Sequence, residues 1–182
     1  MSVASILRNE TRPEHVRTEA AFAGFDLSTH EAYALFLIAQ ASAFLAAERS
    51  LEAAGAAGMI DDWVCRRRSA LLVDDLAEMG VRDVRLQPSL KFENEAQVFG
   101  GVYVLEGSRL GGKILRSQVP VGAPVRFLSA EGEPGHWRKF LHSLDQRLPG
   151  QSDIRSAVDA ARRVFRSFEV AGRETVEFCV EQ

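Results

Sequence analysis

Apolar residues recur along this chain at helical intervals of three and four, and the stops between the runs are glycines and prolines. The first periodic segment opens at Thr11-Arg12-Pro13-Glu14, with Thr11 as the cap, Pro13 in the first turn and Glu14 closing a capping box; Gly24 ends it. His15 lies just inside, with Glu19 and Phe22 down the same side. Ser28-Thr29-His30-Glu31 repeats the box, and the run to Ala54 keeps Tyr33, Phe36, Leu37, Phe44, Leu45 and Leu51 before Gly55. This spacing predicts a long, mostly buried helix with His30 in its N-terminal turn. Asp61-Asp62 place negative charge at the start of a third helix, with Trp63, Leu71, Leu72 and Leu76 inward and Gly80 as its stop.

Residues 81–90 contain Pro88 and no sustained period, a connector. A further helix is expected from about Lys91 to about Arg116. Pro120, Pro124, Gly122 and Gly132 then predict an extended crossing loop over 117–133. Pro134-Gly135 open a helix with Trp137, Phe140, Leu141 and Leu144 at core spacing, stopped by Pro149-Gly150. Ser152 caps the last helix, in which Ile154, Val158, Ala161, Phe165 and Phe168 keep one apolar side. No repeat of fixed period and no long linker interrupts the series. The pattern predicts an all-α single domain over residues 1–182 with six or so main helices.

One stretch contradicts its own helical surroundings. Five glycines fall within Gly100-Gly101-Val102-Tyr103-Val104-Leu105-Glu106-Gly107-Ser108-Arg109-Leu110-Gly111-Gly112, and each costs a helix roughly 1 kcal/mol relative to alanine. Gly107 and Gly111 are four apart, as are Ser108 and Gly112, so a helix bending near Gly107 presents a face almost free of side chains. Tight helix packing through small residues is one use of such a face. The two overlapping pairs, with Gly100-Gly101 upstream, favour a flat ligand. Gly107 to Lys113 also spells G-x-x-x-x-G-K, most of a phosphate-cradling loop. However, Ile114 replaces the metal-binding hydroxyl, the acidic Leu71-Leu72-Val73-Asp74-Asp75 precedes the loop, and the strands of a nucleotide-binding sheet are missing from the pattern.

Composition narrows the field mainly by exclusion. The 182 residues are 46% hydrophobic, enough for one sizeable core, and the net charge of −3 with dispersed Lys and Arg gives no nucleic-acid surface. Arg66-Arg67-Arg68 reads as a solvated helix face. Cys65 and Cys179 lack metal-ligand spacing and suggest no disulfide framework, so reducing, cytoplasmic surroundings are expected. Arg8 follows the N-terminus too closely for a signal peptide, and no run reads as membrane-spanning, so a soluble protein with no membrane partner is expected.

Among four histidines His15 stands out, on a short helix with Arg8 seven residues before it, two turns back on about the same face. A neutral imidazole toward iron, with a cation nearby for a carboxylate, is what one-ligand heme binding requires. Here the chain resembles a known family. Thr11-Arg12-Pro13-Glu14-His15-Val16-Arg17-Thr18-Glu19, followed by Leu105-Glu106-Gly107-Ser108-Arg109-Leu110-Gly111-Gly112, resembles the heme oxygenase family, especially the bacterial branch that serves phytochrome photoreceptors.

The resemblance implies heme between a proximal helix and a glycine-kinked distal helix. His15 is then the proximal iron ligand, and Gly107, Ser108, Gly111 and Gly112 form the distal backbone pressing on the ring, so that bound oxygen is tilted toward the porphyrin edge. Arg8 matches a basic position that contacts a propionate, Arg138 and His142 resemble further basic contacts, and Phe165 fills the apolar end of the pocket. Their placement rotates the ring in its plane and thereby selects the meso carbon cleaved. Many family members carry aspartate where Ser108 stands; a hydroxyl cannot hold a carboxylate's charge, so the proton relay differs.

The implied reaction cleaves heme, both substrate and cofactor, to biliverdin, carbon monoxide and ferrous iron using O2. No flavin or nicotinamide motif is visible, so electrons come from a ferredoxin or flavin reductase, and a biliverdin-accepting phytochrome is the implied consumer. The alternative is a non-catalytic protein of the same fold that holds or transfers heme, for which Ser108 is the motivating feature. The exclusion of a nucleotide site has a direct check: millimolar Mg-ATP should leave the melting temperature unchanged, whereas a saturable rise would restore that reading.

Overall fold

The computed structural model describes residues 2–180, with side chains as far as Glu177, and no strand occurs among them. A helix that the sequence reading missed comes first: α1 (Val3–Glu10), capped by Ser2, whose side chain accepts from Ser5 N. Val3 and Leu7, one turn apart, are buried, and Val3 N donates to Asp145 Oδ1 at 2.7 Å. Thr11 makes no side-chain cap for α2 (Arg12–Phe22); its hydroxyl donates backward to Leu7 O at 2.7 Å, finishing α1 instead. Glu14, expected in a capping box, is buried and pairs with Arg17 at 3.1 Å. Arg8 and His15 therefore lie on two helices, and their seven-residue spacing does not measure one face.

The long helix is α3 (His30–Ala53), capped by Thr29, which accepts from Ala32 N at 3.2 Å. It is long and apolar enough to cross a membrane, yet 72% of its apolar stretch is buried inside the fold, where Tyr33, Phe36, Leu37, Phe44 and Leu51 form the core. The expected third helix is divided. After α4 (Ala56–Met59) come α5 (Trp63–Arg66) and α6 (Ser69–Glu78), separated by extended backbone at Arg67, φ −64° and ψ 139°. That break turns Arg66 and Arg68 inward and leaves Arg67 outside, so the arginine run is not a solvated face.

The glycine helix is α7 (Glu95–Arg116), capped by Asn94 and helical throughout. Inside the crossing loop a short α8 (Arg126–Ser129) is held by Asp75, fully buried, which accepts from Arg126 N at 3.1 Å and Phe127 N at 2.9 Å. α9 (His136–Arg147) and α10 (Gln151–Val180) complete the domain. Cys65 is exposed; Cys179 has its side chain outside the described residues.

α10 is the strut against which α7, α2 and α3 pack. Contact is close because side chains are missing where backbones meet. A Cβ on Gly100 would collide with the Ala157 carbonyl, one on Gly101 would lie 2.8 Å from the Phe92 ring, and one on Gly112 would lie 2.7 Å from Leu128 O. Gly172 seats α2 in the same way, 3.0 Å from the Phe22 ring. Three of the five glycines of the α7 stretch thus serve packing; Gly107 and Gly111 do not, since a Cβ would meet only Trp137 Cη2 at 3.9 Å in the first case and nothing within 4 Å in the second. Gly100→Ala is expected to destabilise by about 2 kcal/mol or more through overpacking, while Gly111→Ala should be neutral or stabilise by up to about 1 kcal/mol. Urea unfolding of both variants tests this, and the reverse order would refute it.

Candidate functional site

The two candidate halves of the site, on α2 and α7, share α10 as a neighbour. α7 runs antiparallel to α9, as Phe99 stacks on Phe140 (5.9 Å between centroids), Tyr103 packs on Trp137 (5.8 Å), and Glu95 pairs with Arg147. The chain then reverses into α10, so α7 and α10 run parallel, with Gly100 abreast of Ala157. Phe165 meets the His15 imidazole edge-on, with centroids 5.5 Å apart, and Thr18 one turn later donates to Phe165 O at 3.0 Å. His15 on α2 and Gly107 on α7 are thus carried by two helices that both pack on α10.

The α7 side of this groove is apolar and open. Tyr103, Gly107, Leu110, Gly111 and Ile114 follow one helical stripe. Leu110 and Ile114 are 62% and 67% exposed, although their size suits a core. An uncovered apolar stripe interrupted by two bare glycines is a seat for a flat apolar group.

On the α2 side the His15 side chain is 54% exposed, with Nδ1 3.6 Å from Glu19 Oε2. Nε2 makes no hydrogen bond among the described residues. Arg8 is exposed on α1, and its charge acts on the Tyr103 phenol, partly offsetting the rise in pKa that burial imposes there. Arg138 and His142 are exposed and one turn apart on α9; His142 Nε2 lies 2.9 Å from Gln146 Nε2. Among the described residues neither is hydrogen-bonded to Arg8 or Tyr103.

Ser108 and Gly112 do not continue the Gly107–Gly111 face. Gly112 is buried against α8. Ser108 sits about 100° around the helix from Gly107, and its hydroxyl donates to Leu105 O at 2.7 Å while accepting from Arg68 Nη2 at 2.6 Å. Arg68 is 3% exposed and lies 4.8 Å from each of the Phe44 and Phe127 rings. Burial, reinforced by the neighbouring Arg109 charge, lowers its pKa to about 9. Beside it Glu106 is held by Arg66 at 2.7 Å and Arg109 at 2.9 Å, and Arg109 also donates to Ala130 O at 2.7 Å. Sequence reasoning missed this cluster; the signal available was carboxylates, Glu48 and Glu106, inside otherwise apolar helical stretches.

The molecule is thus all-helical among its described residues, with an exposed imidazole on α2 and a bare backbone stripe on α7. No family model matches the chain. It is 34% identical over 113 residues to a heme oxygenase of Xanthomonas campestris pv. campestris (strain 8004), covering 58% of this chain and 67% of that protein. Its fold matches the NO- and CO-bound heme oxygenase of Neisseria meningitidis with a TM-score of 0.82 at 23% identity, covering 96% of this chain and 92% of that one. The heme oxygenase of Leptospira interrogans matches with a TM-score of 0.74 at 22% identity, over 96% and 100% of the two chains. The chain belongs to the heme oxygenase family.

Because His15 is exposed and only edge-packed, His15→Ala should shift unfolding free energy by less than about 1 kcal/mol. Denaturant melts check this, and a larger loss would mean that the imidazole is a structural residue.

Proposed function

We propose that this chain oxidatively cleaves heme to biliverdin, carbon monoxide and ferrous iron, using O2 and electrons from an external donor. The observation that supports this reading is the open Gly107–Gly111 stripe on α7, a helix packed on the same α10 whose Phe165 meets His15. The residues fit the group: a flat apolar ring suits Leu110, Ile114 and bare backbone, its iron suits an unpaired Nε2, and its carboxylates suit Arg8. Heme, once bound, supplies the iron that activates oxygen.

The protein residues bind, orient and restrict. His15 would hold the iron through Nε2, with Glu19 beside Nδ1 and Phe165 supporting its ring from the side. Gly107 and Gly111 would let the α7 backbone approach the ring face, restricting the space above it. Arg8, with Tyr103 near its charge, anchors one carboxylate, and Arg138 and His142 serve as further basic contacts that set the ring's rotation and the meso carbon cleaved. Ser108 contributes its hydroxyl at the margin of the stripe. A ferredoxin or flavin reductase supplies the electrons in the cytoplasm, and a phytochrome that accepts biliverdin consumes the product.

A second reading, a protein that holds or transfers heme without turnover, is favoured by the Ser108 hydroxyl pointing to Leu105 O instead of outward. Purified protein mixed with hemin, then given a reductant in air with catalase present, separates the two. The Soret band is expected to form and decay as the broad red absorption of biliverdin rises. A Soret band that forms and persists would establish the carrier instead, and none at all would remove both readings.

A further inference from the structure

Arg8 and His15, which the heme reading gives to a carboxylate and to the iron, stand on opposite sides of a bend. α1 ends at Glu10, α2 begins at Arg12, and Pro13 has no N–H with which to carry the helical ladder across the junction. Thr11 at the bend is buried, and its N–H and its hydroxyl both turn back to Leu7 O, at 2.9 and 2.7 Å. Arg8 lies near enough to Tyr103 of the groove for its charge to act on the phenol. Where Arg8 falls relative to the His15 imidazole is therefore set by the angle of the bend.

One side chain from a distant part of the sequence holds both sides of it. Arg162 on α10 forks onto the Glu10 carbonyl at the end of α1, with Nη2 at 2.9 Å and Nε at 3.3 Å, and Nη2 also donates to Glu10 Oε2 at 3.1 Å. The same Nε lies 3.8 Å from Glu14 Oε2 in the first turn of α2, an oxygen that is buried and accepts no hydrogen bond. A planar guanidinium suits this combination of a helix-terminal carbonyl with carboxylates on two helices. The third carboxylate on Arg162, Asp159 Oδ1 at 3.5 Å, belongs to α10 itself and bridges nothing. One turn further along α10, Phe165 packs on His15. The far end of α1 is tied to α9, where Val3 N donates to Asp145 Oδ1, so Arg162 governs the end that joins α2.

We infer that Arg162 is a positioning residue that acts through Arg8: by holding both sides of the α1–α2 bend it fixes Arg8 relative to His15, and with it the in-plane rotation of a ring held by both. The inference rests on the heme reading of the groove. Without Arg162 the Glu10 carbonyl loses two donor contacts, and carboxylates from α1, α2 and α10 face one another with no guanidinium between them, so the bend is no longer held at one angle.

The test reads the position of the ring. Dimethyldeuterohemin has a two-fold symmetry that makes its two faces equivalent, so in proton spectra of its ferric cyanide complex each in-plane position gives its own set of methyl signals. One set is expected to dominate in the native chain. Arg162→Ala should shift the ratio of the sets at least about fivefold. Arg162→Lys should shift it in the same direction by less, since an ammonium keeps the charge but does not fork onto carbonyl and carboxylate at once. Asp159→Ala, which removes a carboxylate that bridges nothing, should leave the ratio unchanged. In an Arg8→Ala background, Arg162→Ala should shift it no further. An unchanged ratio in Arg162→Ala, an equal shift from Asp159→Ala, or an equal shift with and without Arg8 would overturn the inference and leave Arg162 a surface ion pair. Circular dichroism and melting verify the fold of each variant, and Arg162→Lys carries the comparison if Arg162→Ala does not fold. A native chain that forms no Soret band with hemin would instead defeat the heme reading, and the inference with it.

Discussion

The structure depends on how closely α7 approaches its neighbours. Gly100 brings its first half into backbone contact with α10, Gly101 seats it on the Phe92 ring and the Leu51 side chain, and Gly112 brings its second half against α8. Each missing Cβ is a cost to the helix itself, offset by dispersion contacts that a methyl group would prevent. With α7 fixed from those directions, its remaining face is held at a set height above α10, and the same strut carries α2 through Gly172. The groove is the space that these packing decisions leave open.

Charge does for α7 what hydrophobic packing alone does less selectively. Glu106, 4% exposed, lies between Arg66 and Arg109, and Arg109 reaches the carbonyls of Ala130 and Arg66. Burying such groups is expensive, and the pairing repays it only where the geometry is nearly complete, so the value of the cluster lies in specifying where α7 sits relative to α5 and the segment before α9. Asp75 plays the same part for α8 by accepting from two backbone N–H groups. Among these buried ions, Arg68 is set apart because it ends on a hydroxyl at the groove margin instead of a carboxylate.

The helical class and the long buried α3 were legible, because periodicity and caps are local properties. What was not legible depended on partners far along the chain. The five glycines look alike in sequence, yet three meet protein and two meet open space, a distinction that only the positions of Ala157, Phe92 and Leu128 decide. The arginines at 66–68 read as surface because nothing local announces the extended residue Arg67, which turns its two neighbours into the core. α1 escaped notice because it is a short helix whose stability comes from Asp145 and the core contacts of Val3 and Leu7, not from intrinsic propensity. Pairing His15 with Phe165 needed the register of two helices separated by most of the chain.

The central claim is that the bare stripe on α7 is the seat of a flat ring. A hemin titration of Gly111→Leu, followed at the Soret band, tests it most directly, since a Cβ there meets no protein atom within 4 Å. Affinity at least about tenfold weaker than that of the native chain, with an unchanged melting temperature, is the result expected. Unchanged affinity would place the ring elsewhere and contradict the account.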